Sequence, residues 1–227
     1  MTTWIRLNII VEGQTEEAFA NEVLRPHLSQ YSVSVSARVV SHRRERLRKH
    51  KGGLLQFEPL RRDISLWLRE DRANETRFTT MVDLYAYPAD APGYDVAKRL
   101  QPYDKVARLE QGLADAINDP RFIPHIQLHE FETILFADIN KWAPYFLGQD
   151  DALRALRRSV HSFNNIELIN DDERSAPSKR ILRHLPEYDK VLTGNVLALE
   201  IGLQTIREQC SHFNGWLTQL ETIAHVH

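Results

Sequence analysis

Apolar residues at Ile5, Leu7, Ile9, Ile10 and Val11 predict a buried first strand that runs into Glu12. Gly13 follows, and a residue without a Cβ suits a sharp exit. A helix is expected from about Thr15, with Ala18, Phe19, Val23 and Leu24 at helical spacing up to Leu28. Strict alternation over residues 31–40 (Val33, Val35, Ala37 and Val39 against serines and Arg38) predicts a second strand. A helix over Leu55–Leu68 comes next, then a buried strand over Phe78–Tyr85 that passes through Asp83. Pro88, Asp90, Pro92 and Gly93 mark a loop. Gln101–Asn118 is amphipathic through Val106, Leu109, Leu113 and Ile117. A third strand is expected from Phe122, running into Glu130 and Glu132 before an apolar helix. Strands that alternate with helices in this way predict an α/β fold, a largely parallel sheet covered by helices.

Beyond Asp138 the pattern is mostly helical. Residues 1–137 are therefore expected to form the α/β core, with 138–227 packed on it. Helices are expected over Ala152–Val160 and Asn195–Leu220 (one or two), and residues 164–174 form a polar loop. Pro177 suits the first position of another helix. Lys179 and Arg180 would then lie in its first turn, where the helix dipole disfavours cations and a bound phosphate would favour them. Cys210 is expected to be a buried thiol, and neither it nor His212 has further ligands at metal spacing.

Three acids, Glu12, Asp83 and Glu130, recur at strand ends, where open α/β sheets gather their chemistry. Glu16 and Glu132 lie close by. Thr15 as a cap with Glu16 and Glu17 on the helix dipole is the alternative for the first group. It does not account for Glu12, which precedes the cap. Like charges held together require neutralisation, and Mg²⁺ or Mn²⁺ takes such oxygen ligands. Metal ions in that position stabilise the attacking and leaving oxygens of a phosphodiester. Unrelated capping or surface acids are the competing reading. His129 is either a structural histidine or a ligand or base.

Composition narrows the classes. The 227 residues are 42% hydrophobic and 26% charged, as in a globular domain, and no apolar run approaches the roughly 18 residues that span a membrane. One cysteine cannot form an intrachain disulfide or a zinc cluster, which favours the cytoplasm, and the amino terminus lacks the layout of a signal peptide. A net charge of −2 means that any nucleic-acid surface is local. The run from Arg43 to Lys51 (Arg43, Arg44, Arg46, Arg48, Lys49, Lys51) is either such a phosphate-contacting surface or a solvated face. No phosphate-binding loop with a following Lys-Ser or Lys-Thr is present, nor a Gly-x-Ser-x-Gly elbow.

Four motifs in order, Ile10-Val11-Glu12-Gly13-x-Thr15-Glu16, Met81-Val82-Asp83-Leu84-Tyr85, His129-Glu130-Phe131-Glu132 and Ala176-Pro177-Ser178-Lys179-Arg180, resemble a bacterial family known as domain of unknown function 4276. Tyr188-Asp189-Lys190 extends the resemblance over almost the whole chain. It implies a Toprim-like (Rossmann-like) fold similar to the catalytic domains of topoisomerases, primases and OLD-type nucleases. In those, a glutamate after the first strand acts as acid/base or ligand, and a later Asp-x-Asp binds Mg²⁺. Glu12 matches the glutamate and Asp83 the first aspartate. Tyr85 stands at the second, so Asp90, Glu130 or Glu132 must substitute. The resemblance implies a metal-dependent nuclease of a defence-type system, gated by an ABC/OLD-like ATPase. Glu12, Asp83 and Glu130 would serve as base or ligands, with Glu16 and Glu132 secondary. Lys179, Arg180 and Lys190 would hold phosphate. The alternative is a degenerate Toprim module that binds nucleic acid or docks on an ATPase without catalysis. A homo-oligomer is left open.

Overall fold

The computed structural model describes residues 3–40, 56–85, 87–169 and 175–224. Its sheet is parallel, in the order β2-β1-β3-β4, with β5 also paired to β3. Strands β1 (Ile5–Val11), β2 (Val33–Val39) and β3 (Thr76–Asp83) are those the apolar pattern predicts. β1 lies between β2 and β3, with Val11 opposite Val39 on one side and Met81 on the other. The third predicted strand is split into β4 (Phe122–Ile123) and β5 (Ile126–Gln127). Pro124 between them has no N–H for the ladder. Thr80 fills the gap: its hydroxyl donates to the His125 carbonyl (2.8 Å) and accepts from the His125 amide (3.1 Å).

The first helix runs in three pieces, α1 (Gln14–Phe19), a π turn (Ala20–Leu24) and α2 (Arg25–Ser29). Pro26 explains the widened turn, because its ring crowds the preceding turn and it has no N–H to return. Helices α3 (Phe57–Glu70), α4 (Tyr94–Ala97) and α5 (Pro102–Ile117) follow. The apolar segment after β5 is a 3-10 segment, Phe131–Tyr145, kinked at Asp138. Among the described residues beyond it lie α6 (Asp150–His161), a 3-10 turn (Ile166–Leu168), α7 (Pro177–His184), α8 (Leu192–Ile201), α9 (Leu203–Gln209) and α10 (Ser211–Thr222). The closing stretch is thus three helices, broken at Gly202 and Cys210.

Both faces of the sheet are covered. Ile5, Leu7, Ile9, Val11 and Met81 face a core that continues through Phe19, Trp142 and Phe213 to the last helix. Ile10, Phe78 and Val82 face the other way, onto α3 and α5 through Leu60, Ile64, Leu109 and Leu113. Because β1 connects to β2 on one side and pairs with β3 on the other, the carboxyl ends of β1 and β3 lie at the point where the strand order reverses, the place where open α/β sheets gather their ligands. Among the described residues no helix is long and apolar enough to cross a membrane.

Candidate functional site

Glu12 and Asp83 sit at that reversal, on the ends of adjacent strands. The Asp83 amide donates to Glu12 Oε2 at 3.0 Å, and the Glu12 amide donates to the Met81 carbonyl. Gly13 is extended (φ −153°, ψ −171°), a backbone that does not require glycine, and it is the residue preceding α1. Thr15 is therefore not the cap; it is buried within the first turn, and no side chain caps α1. Glu16 follows in that turn and points back to the strand ends.

The third acidic pair arrives through a bend. His129 has φ +61°, a left-handed backbone that a non-glycine residue adopts at a local cost. It lies two residues beyond β5, where the chain turns and brings Glu132 to Lys190, which also meets Glu16 and Asp83, with the Glu130 charge near Glu132. Asp83 Oδ1 accepts from the Phe131 amide at 3.0 Å, which ties the two segments together. Burial and the Lys105 charge push the His129 imidazole down to about 4, and a hydrogen bond with the Glu167 backbone opposes this. It is neutral at physiological pH.

All five acids are 0–9% exposed. The group among them is Lys190, whose Nζ lies 3.1 Å from Glu132, 3.6 Å from Glu16 and 3.7 Å from Asp83. Its side chain is 34% exposed, yet its charged end lies among carboxylates. Burial alone would lower the Lys190 ammonium; Glu132, Asp83, Glu16 and Glu12 together hold it well above its ordinary value. Burial pushes Asp83 well up, Lys190 opposes, and Glu12, Glu16 and Glu132 add to the rise. Glu132 is raised for the same reasons, with burial again the largest. Glu16 Oε1 and Glu132 Oε1 are buried without a hydrogen-bond partner.

The Tyr188-Asp189-Lys190 motif is now explicable residue by residue. Tyr188 is buried beside Trp142, ring centroids 6.4 Å apart. The Asp189 carboxylate accepts from the Leu192 amide at the start of α8. Both fix the turn from which Lys190 reaches in.

The amino terminus of α7 already holds an anion from within the chain. Glu130 accepts from the Ser178 amide at 2.8 Å and from its hydroxyl at 3.1 Å. Lys179 is exposed at the rim, its ammonium 5.8 Å from the Tyr85 ring. Arg180 is turned inward, donating to the Ser159 carbonyl and lying over Phe163, and is only 7% exposed. That removes it from the surface role the sequence suggested. Asp90 does not substitute for the missing aspartate; it accepts from the Phe57 amide and caps α3. The run containing Arg43, Arg44, Arg46, Arg48, Lys49 and Lys51 lies outside the described residues.

Sequence spacing also missed a second constellation. His212 meets Glu110 and His125, 102 and 87 positions away, with the three ligating atoms within 4.8 Å of one another. Cys210 is fully buried, as expected, and burial holds its thiol well up.

A parallel, helix-covered sheet with acids gathered at its strand reversal defines an α/β protein with a buried acidic cluster. The chain belongs to the family described as Domain of unknown function (DUF4276), whose model matches residues 11–221. Two solved structures are similar to it. The C-terminal region of the Xanthomonas campestris pv. campestris OLD protein aligns over 98% of this chain and 97% of that one, at 15% identity and a TM-score of 0.41. The C-terminal region of the Burkholderia pseudomallei OLD protein aligns over 97% and 99%, at 18% identity and a TM-score of 0.44. No curated protein matches the chain.

Proposed function

We propose that the acid cluster binds a divalent cation, Mg²⁺ or Mn²⁺, and hydrolyses phosphodiesters of a nucleic acid under the control of a partner ATPase. The observation that carries this reading is the gathering of buried Glu16, Asp83 and Glu132 around Lys190, with Glu12 bonded to the Asp83 amide and the Glu130 charge near Glu132. The donor set fits such an ion: it is all oxygen, and two buried carboxylate oxygens have no hydrogen-bond partner. Glu12, Asp83 and Glu132, with Glu16 and Glu130 beside them, would hold it. A cation there supplies electrophilic polarisation of the phosphate and a more acidic water.

The chain's own residues do the rest. Glu12 is held in place by the Asp83 amide and serves as base or ligand. Lys179 would hold a phosphate oxygen of the backbone. Lys190 has two uses for one charge. It compensates the acids as seen here, and once they are compensated otherwise it would stabilise charge that builds on the phosphoryl oxygens. Control by an ATPase of the ABC/OLD type rests on the family resemblance and on the absence of a nucleotide-binding loop in this sequence.

A second reading is a non-catalytic module that binds nucleic acid or docks on the ATPase. Lys190 among the acids and Tyr85 at the second aspartate position favour it. A cleavage assay separates the two. With Mn²⁺ or Mg²⁺, the purified chain should cut plasmid DNA or RNA slowly, faster once the neighbouring ATPase is added, and not at all as Glu12→Gln. No cutting under any of these conditions would leave the docking module; unchanged cutting by Glu12→Gln would move the active site elsewhere.

A further inference from the structure

A second group of ligating side chains shares no residue with the acid cluster. Glu110 comes from α5, His125 from the break between β4 and β5, and His212 from the first turn of α10. Glu110 Oε1 lies 3.0 Å from His212 Nε2 and 3.6 Å from His125 Nδ1. Bonds of about 2.0–2.2 Å to zinc would set tetrahedral ligand atoms roughly 3.3–3.6 Å apart, which the two Glu110 separations already approach, while the whole set lies within 4.8 Å.

Each of the three is held by something else. The Ile126 amide donates to Glu110 Oε1 at 2.8 Å. The backbone of His125 is clamped by the Thr80 hydroxyl. Its ring lies flat on Trp216, centroids 4.2 Å apart and planes 8° apart, and the Trp216 indole N–H is anchored on Thr79 at 2.9 Å. The His212 amide donates to Glu167, a fully buried carboxylate that also takes the Phe213 amide and so caps α10. Ligands fixed in this way are what a metal site requires of its surroundings.

The far nitrogens of both rings, His125 Nε2 and His212 Nδ1, are buried and meet no hydrogen-bond partner. His212 Nε2 faces the Glu110 carboxylate, which only accepts, so this nitrogen carries the ring proton; an ion would displace that proton to solvent and take the freed lone pair. The rings are nearly parallel, 4.9 Å apart, so closing the set calls for a turn of His212, the more exposed of the two. Glu110 and His212 side chains are 18% and 15% exposed, which gives an ion a way in.

We propose that Glu110, His125 and His212 bind a divalent ion of the Zn²⁺ type, with a fourth position open to water. Two imidazoles and one carboxylate suit zinc and disfavour Mg²⁺, which prefers oxygen donors. The ion would join α5, the sheet edge and α10, so its binding would be read as stabilisation of the whole chain.

Calorimetry and thermal melting of the chelator-treated full chain with Zn²⁺ test this. With the acid cluster saturated by millimolar Mg²⁺, one equivalent of Zn²⁺ should bind and raise the melting temperature. His212→Gln and Glu110→Gln should each weaken binding at least ~10-fold. Asp83→Asn, which alters only the acid cluster, should still bind one zinc at this site, and millimolar Mg²⁺ should not displace it. An absence of stoichiometric zinc, or an affinity unchanged in both His212→Gln and Glu110→Gln, would overturn the proposal. So would zinc lost in Asp83→Asn and kept in His212→Gln, because the ion would then belong to the acid cluster.

Discussion

Lys190 is the residue on which the site's electrostatics turn, and its substitution has a pH signature. The raised Lys190 value means that its contribution to stability is complete below the ordinary lysine value of 10.5 and is lost as pH rises through the higher folded value. Asp83 and Glu132 have the opposite sense. Their folded values are raised, so the folded state holds protons more tightly and stability grows as pH falls through those values. Lys190→Met removes the compensating charge and leaves the carboxylates to repel. Its melting temperature should fall well below wild type at pH 8 and recover most of the difference at pH 5, where the acids take up protons. Equal losses at both pH values would show that the stem of Lys190, and not its charge, is what the fold uses. Glu12 requires a gentler change than alanine. Truncation would orphan the buried Asp83 amide at about 1–3 kcal/mol, whereas Glu12→Gln keeps an acceptor in place.

At the scale of elements, α5 shows how a local preference is overruled by packing. Gly112 lies mid-helix, where alanine would ordinarily gain about 1 kcal/mol. A Cβ at Gly112 would, however, stand 2.2 Å from the Pro92 carbonyl oxygen, a backbone atom of the adjoining loop. Gly112→Ala should therefore lower stability by about 1–3 kcal/mol in a urea titration, against the helix-propensity trend. An unchanged or higher midpoint would mean that the loop yields easily.

Most elements were legible in the sequence because their apolar positions repeat with the period of the element they form. β1, β2 and β3, α3, α5 and α6 are of that kind. The failures have separate physical causes. Pro124 interrupts a pattern that reads as one strand, and the compensating Thr80 hydroxyl lies 45 residues away. Thr15 and Gly13 look like a cap and a turn, but α1 begins one residue earlier, on an extended backbone. The acids at the strand ends were visible because they recur after each apolar run. That Lys190 lies among them was not, since a lysine in a polar turn has no periodic signal. The α7 amino terminus looked ready for a phosphate, and only the fold shows Glu130 already there. Glu110, His125 and His212 are far apart in the chain, and nothing in their spacing brings them together.

For the whole molecule, the strand order matters more than any single motif. Placing β1 between β2 and β3 puts the first and second acids on neighbouring strand ends, and the left-handed turn at His129 brings Glu132 to Lys190, which also meets Asp83. The long apolar core from β1 to α10 fixes the turn that carries Lys190 against the same spot. The acids therefore converge because of the topology, and the cost of burying them is borne by the surrounding packing. Such a group persists in a folded protein when a cation completes it.

Mn²⁺ calorimetry on the metal-free chain tests that claim most directly. Wild type should bind Mn²⁺ with micromolar to millimolar affinity, Glu12→Gln and Asp83→Asn should weaken the binding, and Lys190→Met should strengthen it by removing the competing ammonium. No heat with wild type, or the same binding isotherm for wild type and both acid variants, would contradict the account.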